Sequence, residues 1–274
     1  MRPQAPDIAA PPFRPATTWI GAEPPVLERL TAAGPVLVHF FDFAQLNSVR
    51  ALPYVIAWGE RYRDDGLAAI GVHSSRFPFT ADEGEIAAAV ERLGIEHPVA
   101  VDSNYAIWHD YGCEGWPSLF VWGQGGALRW YHRGEGEYAG TERAIQERLL
   151  EARPELRLPE PIEPLRASDA PDALVAPPSE EVLPGGSPTE PWVADGPDAA
   201  LLEIDYEAGG AYATVDGQGT IGVELDQGAL LTVAVEHPGI VELASHPRHE
   251  WHRLVLRPSP GVRVWSVSFA AGVP

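Results

Sequence analysis

Few residues in this chain could carry out chemistry. One cysteine, Cys113, stands in the run Tyr111-Gly112-Cys113-Glu114-Gly115-Trp116-Pro117-Ser118. A lone thiol cannot close an intramolecular disulfide, form a two-cysteine redox motif or build a four-thiolate zinc site, so dithiol chemistry within one chain is excluded. A reactive thiolate needs positive charge nearby. The chain has no lysine, and the neighbouring Glu114 raises a thiol pKa rather than lowering it. The favoured reading of Cys113 is therefore a small core hydrophobe. The alternative is a one-cysteine thiol–disulfide or peroxidase-type activity at Cys113.

Histidines form the second candidate group. His237, His246, His249 and His252 fall close together, and the spacing His246-x-x-His249-x-x-His252 could offer imidazoles to zinc, copper or nickel. In a strand, positions 249 and 252 point to opposite faces, which argues against a joint site unless the segment turns. No metal and no cofactor are expected, with His246, His249 and His252 as the metal candidates. His73, His97, His109 and His132 are scattered and share no site that spacing reveals.

The elements that must position these groups divide the chain. Residues 1–16, with prolines at 3, 6, 11, 12 and 15, read as an extended arm without the apolar core of a secretory signal. Residues 17–152 alternate apolar strands with helical segments, an α/β signature. The strands are Val36–Phe41, Leu67–Val72, Leu119–Trp122 and Ala127–Tyr131, the last two joined by a Gly123–Gly126 hairpin turn. Helices are predicted from about Leu46 to Tyr62, from about Asp82 to Leu93, and from a cap at Thr141 to Ala152. Residues 153–191 are proline-rich and acidic with little apolar periodicity, as in an extended linker. Residues 192–274 read as all-β. Short alternating runs such as Leu202/Ile204/Tyr206 and Trp265/Val267/Phe269 need two layers to bury their apolar faces, so a β-sandwich, jelly-roll-like, is expected.

Composition limits the partners. The 274 residues carry 19 basic and 39 acidic side chains, a formal charge of −20. Such a surface repels phosphate backbones and anionic lipid, which disfavours nucleic acid and membrane as partners. No run of about 18 apolar residues occurs, and a cytoplasmic protein is expected.

The first region resembles the thioredoxin superfamily, nearest its TlpA/DipZ-like branch and the thioredoxin-like module of NHL-repeat proteins. The resemblance rests on Val36–Phe41, Arg50-Ala51-Leu52-Pro53-Tyr54, Gly71-Val72-His73-Ser74, the Tyr111–Ser118 run and Gly134-Glu135-Gly136-Glu137. It implies that Pro117 is the family's cis-proline, bordering a substrate groove with Trp116. It also places the family's C-x-x-C on Gln45-Leu46-Asn47-Ser48, where both cysteines are absent, and a buried carboxylate position on His39. The family's thiol–disulfide exchange needs a thiolate at a helix N-terminus and a second thiol to resolve the mixed disulfide. The degenerate positions Gln45, Leu46, Asn47, Ser48 and His39 therefore imply a frame without the reaction. A Ser48 hydrolase with His39 as base is a remote alternative, and Asn47 or Ser48 as a helix cap is the plainer reading. Residues 254–257 and 259–269 resemble the β domain appended to DipZ-type proteins, similar in shape to carbohydrate-binding modules. That resemblance makes Trp192, Trp251 and Trp265 candidate sugar-stacking rings. The expected function is binding or scaffolding of another protein through the groove near Pro117, with no enzymatic dithiol activity. Glycan or metal recognition by the β domain is the alternative.

Overall fold

The computed structural model describes residues 1, 8–21, 23–194 and 201–274. The chain divides into two compact units that interleave in sequence. Met1–Phe43, Asn47–Ser75 and Thr80–Leu165 form the first, and Ala44–Leu46, Arg76–Phe79 and Arg166–Pro274 form the second.

The first unit runs β1 (Thr18–Ile20), α1 (Leu27–Ala33), β2 (Val36–Phe41), α2 (Leu46–Arg61), β3 (Ala68–His73), α3 (Glu83–Arg92), β4 (Val99–Val101), α4 (Ala106–Asp110), β5 (Ser118–Trp122), β6 (Leu128–Arg133) and α5 (Tyr138–Ala152). Its mixed sheet has the order β1-β4-β3-β2-β5-β6. β2 lies parallel to β3, and β3 to β4, while β5 pairs antiparallel with β2 and β6 antiparallel with β5. Every residue of β2 is buried, as expected of a central strand covered on both faces. Val36, Val38 and Phe40 pack with Ile107, Trp108 and Trp122 on one side, and Leu37 packs with Tyr54, Val55 and Trp58 on the other.

Local chemistry sets the helix ends. The Asp82 side chain accepts the Glu85 N–H at 3.0 Å and caps α3. α5 starts at Tyr138, a turn before the Thr141 cap predicted from sequence. Tyr138 stacks on Tyr54 at 3.9 Å, and burying that ring draws the extra turn into the helix. Thr141 is buried inside the helix, where its hydroxyl accepts from the Trp130 indole N–H at 3.1 Å. The start of the proline-rich segment is fastened to this unit. The buried Glu142 carboxylate accepts the Tyr62 hydroxyl at 2.6 Å and the Ile162 N–H at 2.8 Å. The Leu165 N–H donates to Tyr54 Oη at 2.7 Å.

The second unit contains β7 (Trp192–Val193), β8 (Leu202–Gly217), β9 (Gly219–Leu225), β10 (Leu231–Val235), β11 (Gly239–Pro258) and β12 (Val262–Ala270) in one antiparallel sheet, ordered β10-β9-β11-β8-β12-β7. The apolar runs at 241–243 and 254–256 lie in the two halves of the 20-residue β11. One half pairs with the end of β8 and the other with its beginning, with register shifts between Glu242 and Ala244 and between Ser245 and Glu250. Such irregularities bend a strand. Ile204, Tyr206, Leu254 and Leu256 from one half of the sheet share a buried cluster with Ala213, Val215, Val264 and Val267 from the other. The continuous sheet thus forms a β-sandwich. Val182 exchanges two backbone hydrogen bonds with Val267, and the Ala176 N–H donates to Gly272 O at 3.0 Å. Phe77 and Phe79, within the Arg76–Phe79 segment of this unit, lie 6.0 and 5.4 Å from the Trp265 ring. Among the described residues, no helix is long and apolar enough to cross a membrane.

Candidate functional site

The C-terminal ends of parallel strands and the start of the following helix are where α/β sheets present ligands. Here β2 ends at Phe41, and Asp42, Phe43, Ala44 and Gln45 lead into α2, which begins at Leu46. Leu46 and Ser48 are 3% and 1% exposed, while Gln45 and Asn47 are half-exposed. Asn47 and Ser48 therefore lie inside the first turn of α2, past the cap position assigned to one of them from sequence. Ser48 Oγ accepts the Asp42 N–H at 3.2 Å. Beside it is a buried polar cluster: Asp42 accepts the Thr80 hydroxyl at 2.8 Å, and His73 Nε2 accepts the Phe43 N–H at 3.3 Å. His73 Nδ1 is buried with no hydrogen-bond partner among the described residues.

His39 is buried and makes its contact elsewhere. Its Nε2 lies 2.7 Å from His97 Nε2, and its ring stacks on Phe41 at 5.0 Å. The serine–histidine pairing considered from sequence is not formed. Gly71 stands opposite His39 in the parallel register, and a Cβ at Gly71 would come within 3.1 Å of His39 Nε2. Glycine at 71 makes room for the imidazole. Burial holds the His39 pKa well below the ordinary histidine value and lowers that of His97 to about 4. Both rings are neutral at pH 7, so one N–H donates and the other nitrogen accepts. A cleft of about 360 Å³ lined by Gly59, Glu60, Arg63, Glu96 and His97 opens beside the pair. Sequence spacing hid this pair, because its members are 58 positions apart. The glycine opposite His39 on the neighbouring strand was the available signal.

The Trp116–Pro117 peptide bond is cis, and Pro117 is buried. Trp116 is half-buried, donates its indole N–H to Ser74 O at 2.9 Å and lies 4.6 Å from the Trp108 ring. Cys113 is 8% exposed and belongs to the core cluster that includes Phe40, Tyr111 and Trp122. Burial pushes its thiol pKa far up, so it stays protonated at neutral pH. The motifs at Arg50 and Gly134–Glu137 meet through an Arg50–Glu135 ion pair of 2.6 Å.

The three candidate metal ligands His246, His249 and His252 do not converge on one point. His246 Nε2 pairs with Tyr206 Oη at 2.7 Å, His252 Nδ1 with Asp226 at 2.7 Å, and His249 lies 3.7 Å from Glu207. The His246 and His252 rings are stacked at 3.8 Å and 18°. Nitrogen lone pairs lie in the ring plane, so two stacked imidazoles direct theirs along parallel planes and not at one centre. Among the described residues, no group of three His, Cys, Asp or Glu is placed to hold a metal. Of the three tryptophan candidates, Trp265 is buried, Trp192 half-buried, and Trp251 61% exposed.

A mixed sheet of this order, with a helix leaving the central strand and a cis-proline before β5, defines a thioredoxin-like domain. In sequence, too, the chain is similar to thioredoxin-like proteins. In particular it is similar to Protein DipZ of Mycobacterium bovis and Mycobacterium tuberculosis, with 30% identity over 298 residues covering 95% of this chain and 42% of that protein. The chain thus spans less than half the length of DipZ. The thioredoxin-like region is also 33% identical over 132 residues to human NHL repeat-containing protein 2, covering 47% of this chain and 18% of that protein. It is 27% identical over 133 residues to the thiol-disulfide oxidoreductase YkuV of Bacillus subtilis, covering 48% of this chain and 88% of YkuV. No family model matches the chain.

Proposed function

We propose that this chain is a redox-inactive thioredoxin-like protein that binds another protein. One observation carries the reading: the start of α2, where the family resemblance puts a C-x-x-C, reads Gln45-Leu46-Asn47-Ser48 with no cysteine, and the one thiol, Cys113, is buried with a raised pKa. Without a thiolate at the start of α2 no mixed disulfide can form, so a bound partner leaves as it arrived. Trp116 supports the binding half of the proposal. Its indole is fixed by Ser74 and Trp108 and keeps part of its surface open, and a pre-ordered aromatic loses little entropy on binding. The test is an NMR titration of the full chain with reduced, carboxymethylated insulin B chain, a flexible thiol-free polypeptide. Shifts at Trp116 and Asn47 that vanish in Trp116→Ala are expected. No shift at millimolar peptide overturns the groove reading.

A second reading, glycan binding by the second unit, rests on Trp251. Its ring is exposed on the outer face of β11, opposite Glu207 in register, where it could stack on a sugar while the carboxylate accepts hydroxyl protons.

A further inference from the structure

β10 is an edge strand. It pairs only with β9 in the sheet order, so along its outer side the backbone N–H and C=O groups have no strand partner among the described residues. Natural edges are usually blunted by charge, proline or a covering element. Among the described residues this one has none of the three. Residues 229–235, Ala-Leu-Leu-Thr-Val-Ala-Val, contain neither a charge nor a proline in a chain of net charge −20. Leu230 and Leu231 are 56% and 63% exposed, and Thr232 and Ala234 are exposed on the outer face.

We propose that β10 is the pairing edge of a two-fold homodimer, formed by antiparallel addition of β10 from a second copy. Charge identifies the occupant. Two molecules as acidic as this one repel each other over most surfaces, and an uncharged strand is where two copies can meet without opposing carboxylates. The sequence is also self-complementary. Pairing centred on Val233 sets Leu231 against Val235 of the second copy and Thr232 against its Ala234, so every opposed pair is apolar or a threonine. Glu236 then falls opposite Leu230 and not opposite another acid. A two-fold contact of this kind closes on itself, so it yields a dimer and no fibre. A five-residue strand buries less than the ~1,200 Å² typical of stable complexes, which makes the dimer weak and concentration-dependent.

Sedimentation of the full chain from about 10 μM to about 1 mM, with about 0.3 M NaCl to screen the net charge, tests the proposal. The weight-average mass rises with concentration towards twice the monomer. Ala234→Lys, at an exposed position outside the core, abolishes the rise, and Leu231→Lys does the same. Circular dichroism confirms that both variants keep the wild-type fold. A wild type that stays at monomer mass at the highest concentration overturns the proposal. So does association that persists unchanged in both folded variants.

Discussion

Two facing imidazole nitrogens 2.7 Å apart can share one proton but not two, since a second would set two positive charges together in a buried site. Folding therefore depresses the proton affinity of His39 and His97, and the unfolded chain takes up protons first as pH falls. Stability is accordingly full above the ordinary histidine pKa of about 6.5 and declines as pH drops towards about 4. The His97 contribution to that decline is on the order of 2–3 kcal/mol, read from urea midpoints at successive pH values. His97→Gln keeps a polar partner for His39 but removes one titration, so it makes the acid limb shallower. A flat profile in the wild type between pH 6.5 and 4 contradicts the paired arrangement. The buried, protonated Cys113 makes its own prediction. Labelling by a thiol reagent in excess follows the rate of unfolding, and rapid native-state labelling would place the thiol at the surface.

At the scale of elements, the Glu142 carboxylate is one of several ties on the strap over residues 153–165, beside the Gln146–Pro159 and Leu165–Tyr54 hydrogen bonds. Glu142→Ala leaves the Tyr62 hydroxyl short of an acceptor and the Ile162 N–H unsatisfied, a loss of about 2–4 kcal/mol. Limited proteolysis then cuts within 153–165 faster than in the wild type, and equal cutting rates would show that Glu142 does not hold the segment. Nothing in the sequence marked Glu142 as buried, because its partners lie 80 and 20 positions away. The α/β region was legible for the opposite reason. Val36–Phe41 is a continuous apolar run of the kind only a doubly covered strand needs, and the Gly123–Gly126 turn announces its hairpin. In the second unit, alternation revealed strands but hid their lengths. Ala244, Ser245, His246, Pro247 and Arg248 break the period inside β11, where register shifts absorb the mismatch. The short strands β1 and β4, with three residues each, offered too little pattern to be found. The His39–His97 contact depends on bringing the residues before β4 beside β2, which no local spacing encodes.

On the scale of the whole molecule, the second unit is not one stretch of chain. Phe77 is buried and lies 6.0 Å from the Trp265 ring, and the Thr214 hydroxyl donates to the Ala44 carbonyl at 2.8 Å. A fragment of residues 166–274 lacks Ala44–Leu46 and Arg76–Phe79, which belong to this unit. It melts below the same unit in the full chain, and Phe77→Ala alone costs about 3 kcal/mol. Equal melting temperatures for fragment and full chain would show that these segments contribute nothing. The central claim, a thioredoxin-like frame that has lost its thiol reaction, is tested most directly by insulin reduction followed by turbidity with dithiothreitol as electron donor. The wild type runs at the rate of dithiothreitol alone, whereas Gln45→Cys/Ser48→Cys, which restores a dithiol at the start of α2, exceeds it. Turnover by the wild type above the dithiothreitol control would contradict the account.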